Sequence, residues 1–183
     1  MATAHPQRFN PPTLWLHWLM ALLLVAVVLS IELHELWPKG DPTRALLKAW
    51  HFQLGLAVFA LLWLRLLLRW AGPRSPAVQP PLARWQARLS HGVQGGLYLL
   101  MAALPLLGWL SMNAKGKTLV LWGVWSLPLL LNPDAALAHT LEDWHEWGAN
   151  LGMALVALHT VAALVHHFVQ GDNTLTRMLP GRR

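Results

Sequence analysis

The sequence predicts an all-α integral membrane protein, a four-transmembrane-helix bundle, and three observations lead there. Of 183 residues, 55% are hydrophobic and only 12% are charged, with a mean hydropathy of +0.39. That charged fraction is about half of what a soluble domain carries. The apolar residues gather into long runs separated by Pro, Gly and charge, and a run of about twenty apolar residues spans the hydrocarbon of a bilayer. Twelve Trp residues cluster at the ends of these runs, among them Trp15, Trp18, Trp37, Trp50, Trp70, Trp109, Trp144 and Trp147, where an amphipathic ring sits at headgroup depth. No soluble stretch is long enough for a second core, so residues 1–183 read as one membrane domain.

The first span covers residues 14–36, entered through Asn10-Pro11-Pro12 and left through Pro38-Lys39-Gly40-Asp41-Pro42. A cleaved signal peptide is the competing reading of this run. Against it stand the run's length, the His inside it and the lack of a small-x-small site behind it. The second span, 44–70, ends in Arg65 and Arg69, whose stems let them snorkel toward the interface. A Pro-rich connection from Gly72 to Pro81 stops it. The third span, 91–112, contains Gly92, Gly95, Gly96 and Pro105, which membrane helices tolerate where neighbours pack closely. A loop, 113–141, follows. Its apolar patch, 119–131, is too short to cross and reads as interfacial or re-entrant. The fourth span is 142–168.

Four spans place both termini on one side. The side that holds Arg8, Arg65, Arg69, Arg74, Arg84, Arg88, Arg177, Arg182 and Arg183 carries nine basic residues against one acid, Asp172. The other side has five basic residues and seven acids. The positive-inside rule therefore puts the termini in the cytoplasm of a bacterial inner membrane. The net charge of +6 belongs to these connections rather than to one polar face, which excludes a nucleic-acid surface.

Cys is absent, which excludes disulfides, iron–sulfur clusters and covalent haem attachment. His, at ten residues, is left as the plentiful soft ligand. His17, His51, His145 and His159 lie within or at the edge of the apolar spans. One such His alone reads more simply as a hydrogen bond between helices. Four at matching depths read differently. His145 and His159 are fourteen residues apart, two heptads, so both face the same side of one helix, about 21 Å apart at a rise of about 1.5 Å per residue. The first span rises outward and the second and fourth descend, which matches His51 with His145 near the periplasm and His17 with His159 toward the cytoplasm. Imidazoles from facing helices suit haem iron, which takes two axial nitrogens across a flat ring. Zinc fits poorly, because isolated pairs lack its third and fourth ligands. Gly55, Gly148 and Gly152 near these His supply room for a large ring, although close helix packing uses glycine too.

With these residues in place, the chain resembles the bacterial cytochrome b561 family of di-haem, quinone-linked membrane proteins. The segments that carry the resemblance are Leu16-His17-Trp18; Trp50-His51 and Arg65-Leu66-Leu67-Leu68-Arg69; Tyr98-Leu99-Leu100 with Ala103-Leu104-Pro105; Trp144-His145-Glu146 with Asn150-Leu151-Gly152; Leu158-His159; His166-His167; and Asp172-Asn173-Thr174-Leu175 with Arg177-Met178. The resemblance implies four helices in lipid and two non-covalent haems b, with His17 and His159 as axial ligands of one and His51 and His145 of the other. Two axial His on each iron leave no open position for oxygen, so the chemistry expected is one-electron transfer.

The resemblance further implies superoxide as an electron donor and ubiquinone as acceptor. Lys115 and Lys117, after the third span, are the candidates for drawing a small anion toward the periplasmic haem; ordinary solvated lysines are the plainer reading. His91, His166 and His167, with Arg84 nearby, are the candidates for the quinone site, His167 foremost as proton donor. Interfacial His that bond headgroups are the plainer reading there. Two other classes compete: a cytochrome b subunit that passes electrons between quinone and a periplasmic redox partner, and a haem-free transporter or structural membrane protein.

Overall fold

A computed structural model describes residues 8–73 and 75–180. Arg74, Arg182 and Arg183, counted above on the basic side, lie outside the described residues. Four long helices make up the chain: α1 Pro11–His34, α2 Pro42–Ala71, α3 Arg84–Ala114 and α4 Ala135–Phe168. Each is long and apolar enough to cross a membrane.

Their starts follow from local chemistry. Pro11 and Pro42 each open a helix, where a missing N–H costs nothing. The Asp41 carboxylate accepts from Thr43 N at 2.7 Å, and that of Asp134 from Leu137 N at 2.9 Å, so each caps a helix start. At α3 the Gln86 side chain reaches back and accepts from Ala83 N at 3.0 Å. The helices extend past the apolar spans into the polar margins, most of all at α4, which begins at Ala135 within the expected loop.

The 119–131 segment folds back as a small antiparallel hairpin, β1 Val120–Leu121 with β2 Trp125–Ser126. Trp122 and Gly123 turn it at φ of 50° and 72°, the mirror-image geometry that hairpin turns use. The amide of Gln53 holds its first strand and turn, donating to Val120 O at 2.7 Å and accepting from Trp122 N at 3.1 Å. The fully buried Asn113 accepts from Leu130 N at 2.6 Å. The segment is thus tied to α2 two residues beyond His51, and Leu119 reaches the bundle interior.

The opposite end is closed by the chain after α4. Trp18 Nε1 donates to Met178 O at 2.6 Å, Arg177 donates to Pro76 O, and His166 Nδ1 bonds the buried Asp172 carboxylate at 2.6 Å. We call this the tail end and the other the hairpin end.

Packing divides the helices into two hairpins. α1 lies along α2, α3 lies along α4, and α2 meets α3 over a shorter stretch; among the described residues no comparable contact joins α1 to α4. The tightest core is the α1–α2 seam of Leu16, Met20, Val58 and Leu62, with Tyr98 and Met101 of α3 against it. Leu22 of α1, Trp63 and Leu67 of α2, Leu99 of α3, and Val161 and Phe168 of α4 point outward, a lipid-facing girdle rather than a defect. Between the two hairpins runs a cavity of about 2280 Å³ lined by all four helices.

Candidate functional site

Of the histidines that line this cavity, four face one another across it, in two pairs at its two ends. Toward the tail, His17 of α1 faces His159 of α4 with ring centroids 6.3 Å apart and planes at 68°. Toward the hairpin, His51 of α2 faces His145 of α4 at 6.0 Å and 75°. With metal–nitrogen bonds of about 2.0 Å, two imidazoles bound on opposite sides of one ion have centroids about 6 Å apart. Both pairs stand at that spacing.

Two of the four rings are held by backbone carbonyls. Nδ1 of His51 donates to Val27 O at 3.2 Å, and Nδ1 of His145 donates to Leu104 O at 2.9 Å. A carbonyl only accepts, so the proton sits on Nδ1 and the Nε2 lone pair is left for a metal, the usual arrangement behind a ligating His. Gly108 gives His145 its place: a Cβ there would stand 3.3 Å from Cε1 of the ring. Of the glycines read as room for a ring, Gly148 packs against α3, since a Cβ on it would press on the Leu104 side chain at 2.9 Å, while Gly55 and Gly152 border the cavity, with nothing within 4 Å of a Cβ on Gly55.

His17 is held differently. Arg65 Nη2 lies 3.2 Å from its Nδ1, and Arg65 Nε donates to the Tyr98 hydroxyl at 3.0 Å. The sequence expectation that Arg65 snorkels to the interface is corrected here: the guanidinium turns into the bundle, where the Tyr98 hydroxyl accepts from Nε; with Nε2 of His17 left for a metal its Nδ1 carries the proton, so the Nη2 contact there is one of charge and not a hydrogen bond.

The residues proposed for substrates are less gathered. Lys115 is ion-paired with Glu142, and Lys117 is exposed and does not line the cavity. Of the four candidates for quinone, His91 alone borders the cavity, beside Ser90 and Gln94. His166 is occupied by Asp172, His167 packs its ring edge-on to Phe168 at 4.7 Å, and Arg84 is exposed at the start of α3.

The donor set fits haem and little else. Among the described residues no group of three or more His, Cys, Asp or Glu could hold a bare ion. Paired axial nitrogens require only that a planar ring supply the remaining bonds, and the cavity between the hairpins has room for it. Val27 and Gly108 were not marked by sequence reasoning, and Leu104, Arg65 and Tyr98 appeared there within segments that carry the resemblance, with no part in the site. For Arg65 a signal existed, since an ionisable residue within a membrane span is by default a functional one.

A bundle of four membrane helices around a cavity with facing imidazoles defines a class, the helical membrane cytochromes. The chain belongs to the prokaryotic cytochrome b561 family, whose sequence model matches residues 8–181. It is similar to Cytochrome b561 homolog 1 of Escherichia coli (strain K12), 34% identical over 96% of this chain and 99% of the relative. It is also similar to the Probable superoxide oxidase CybB of Yersinia pestis, 34% identical over 97% of this chain and 98% of the relative, and to Cytochrome b561 homolog 2 of Escherichia coli (strain K12), 29% identical over 97% and 94%. Membership makes it a haem b protein of membrane electron transfer in the bacterial inner membrane.

Proposed function

We propose that the chain carries electrons between two haems b, oxidising superoxide at the periplasmic face and reducing ubiquinone. His51 and His145 hold the haem at the hairpin end, which faces the periplasm; His17 and His159 hold the other, toward the cytoplasm and both termini. The observation that carries this reading is the pair of ring-to-ring separations, 6.3 and 6.0 Å, at opposite ends of one cavity. The superoxide assignment is supported by the name of the Yersinia pestis relative.

Haem, when bound, would supply a one-electron carrier, held by His51 and His145 at one end and by His17 and His159 at the other. The protein's part is to bind, orient and exclude water. The carbonyls of Val27 and Leu104 fix ring tautomer and orientation, and the hairpin held by Gln53 covers the outer end. Overall, two superoxide anions each give up one electron and become dioxygen, and ubiquinone takes those two electrons with two protons to become ubiquinol. His91, open to the cavity, is the better-placed proton donor of the three tail-end His; His166 and His167 are engaged elsewhere. Lys117 is the remaining cation of the loop pair, Lys115 being neutralised by Glu142.

A second reading is favoured by one observation. The hairpin end of the cavity is lined by Glu32, Asp143 and Glu146, and by Glu35 and Glu142, which are paired with Arg44 and Lys115, against Lys48 alone among lysines and arginines. Such a surface suits a cationic periplasmic redox protein better than a small anion.

Stopped-flow mixing of the oxidised protein with superoxide decides between them. The proposal expects haem reduction that outpaces spontaneous dismutation, followed by ubiquinone-dependent reoxidation that slows in His91→Gln and not in His167→Gln. Haem reduction no faster than dismutation removes superoxide as the donor and leaves the protein partner.

A further inference from the structure

The charged side chains that line the cavity separate by sign along its length. Around His17 and His159 they are Arg8, Arg65, Arg69 and Arg177; around His51 and His145 they are the five acids and Lys48. Arg65 is the cation that reaches an imidazole, with Nη2 3.2 Å from Nδ1 of His17 and its guanidinium carbon 5.9 Å from the centre of the Tyr98 ring. None of the ion pairs among the described residues includes it. An ionisable residue at this depth is by default a functional one.

The two pairs therefore differ in what stands behind the rings. At the hairpin end, Nδ1 of both His meets a backbone carbonyl, which makes each imidazole a stronger electron donor and favours oxidised iron. At the tail end a fixed positive charge adjoins the pair, and positive charge favours the state with one more electron. Both differences act in the same direction. We infer that Arg65 is a positioning and tuning residue that raises the reduction potential of the His17/His159 centre above that of the His51/His145 centre, so that electrons entering at the hairpin end come to rest at the tail end. The inference rests on the haem-ligand reading above.

The test is a potentiometric measurement on the purified holoprotein, with His145→Ala and His159→Ala used to assign each redox wave. Arg65→Gln is expected to lower the equilibrium constant for reduction of the tail-end centre about tenfold, equivalent to about 59 mV for one electron, and to leave the hairpin-end centre in place. Arg65→Lys, which keeps the charge, is expected to retain the native potential within about threefold in that constant, or about 30 mV. Arg65→Met, apolar at the same depth, serves in place of Arg65→Gln where the latter does not accumulate. Both haems present with the tail-end wave unmoved in the Gln or Met variant overturns the inference, as does a Lys variant that falls as far as Gln. A wild-type protein without bis-imidazole haem overturns the ligand reading instead, so the two failures are told apart.

Discussion

On the proposed two-haem reading, replacing His145 with alanine is expected to leave one haem per chain instead of two. On that reading the side chain would be one of the two donors to the haem at the hairpin end, and its Nδ1–H anchors on Leu104 O at 2.9 Å. With the imidazole gone, His51 alone faces the ring, and no other His of the described residues stands at ligand spacing from it. Removal of an outer-shell partner already costs about 10–100-fold in metal affinity, so loss of the axial donor itself is expected to cost about 100-fold or more. The tail-end pair lies about 21 Å away along α4 at about 1.5 Å per residue and keeps its ligands. Haem quantified per chain falls from two to one, and reduction by superoxide falls to the dismutation background. Retention of two haems, or undiminished reduction, contradicts the assignment.

The reciprocal change, His159→Ala, has an equally large effect of a different kind. It removes the α4 ligand from the tail-end pair, where His17 retains only the Arg65 contact. One haem is again lost, but it is the one nearest His91 and the tail. Superoxide still reduces the remaining haem in stopped flow, whereas ubiquinol formation falls by about 100-fold or more, because the second centre no longer bridges a gap that electrons must cross. If both half-reactions fail together in this variant, or both survive, the division of labour between the two ends is wrong.

Much of this was legible in the sequence because a bilayer fixes depth. Hydropathy and Pro-rich breaks locate the spans, and a constant rise per residue converts position into height, so His51 could be matched with His145 and His17 with His159 before any coordinates. What depth does not give is direction around a helix. α1 is apolar nearly all round, from Leu14 to Ile31, and its sequence does not say which side meets α4. The same gap explains Arg65: its stem could reach the interface or the interior, and only the positions of Tyr98 and His17 on neighbouring helices decide. Adjacent residues on a helix point about 100° apart at 3.6 residues per turn, which separates His166, turned to Asp172, from His167, turned to Phe168. The carbonyls of Val27 and Leu104 carry no side-chain signal at all. The hairpin at 119–131 was hidden because its two strands have two residues each and depend on Gln53 and Asn113, far away in sequence.

The most direct measurement is a reduced-minus-oxidised absorbance spectrum of the purified protein with haem counted per chain, repeated for His51→Ala and His159→Ala. The account predicts two low-spin haems b in the native protein and one in each variant. A colourless native protein, or a pigment content unchanged by either substitution, contradicts it.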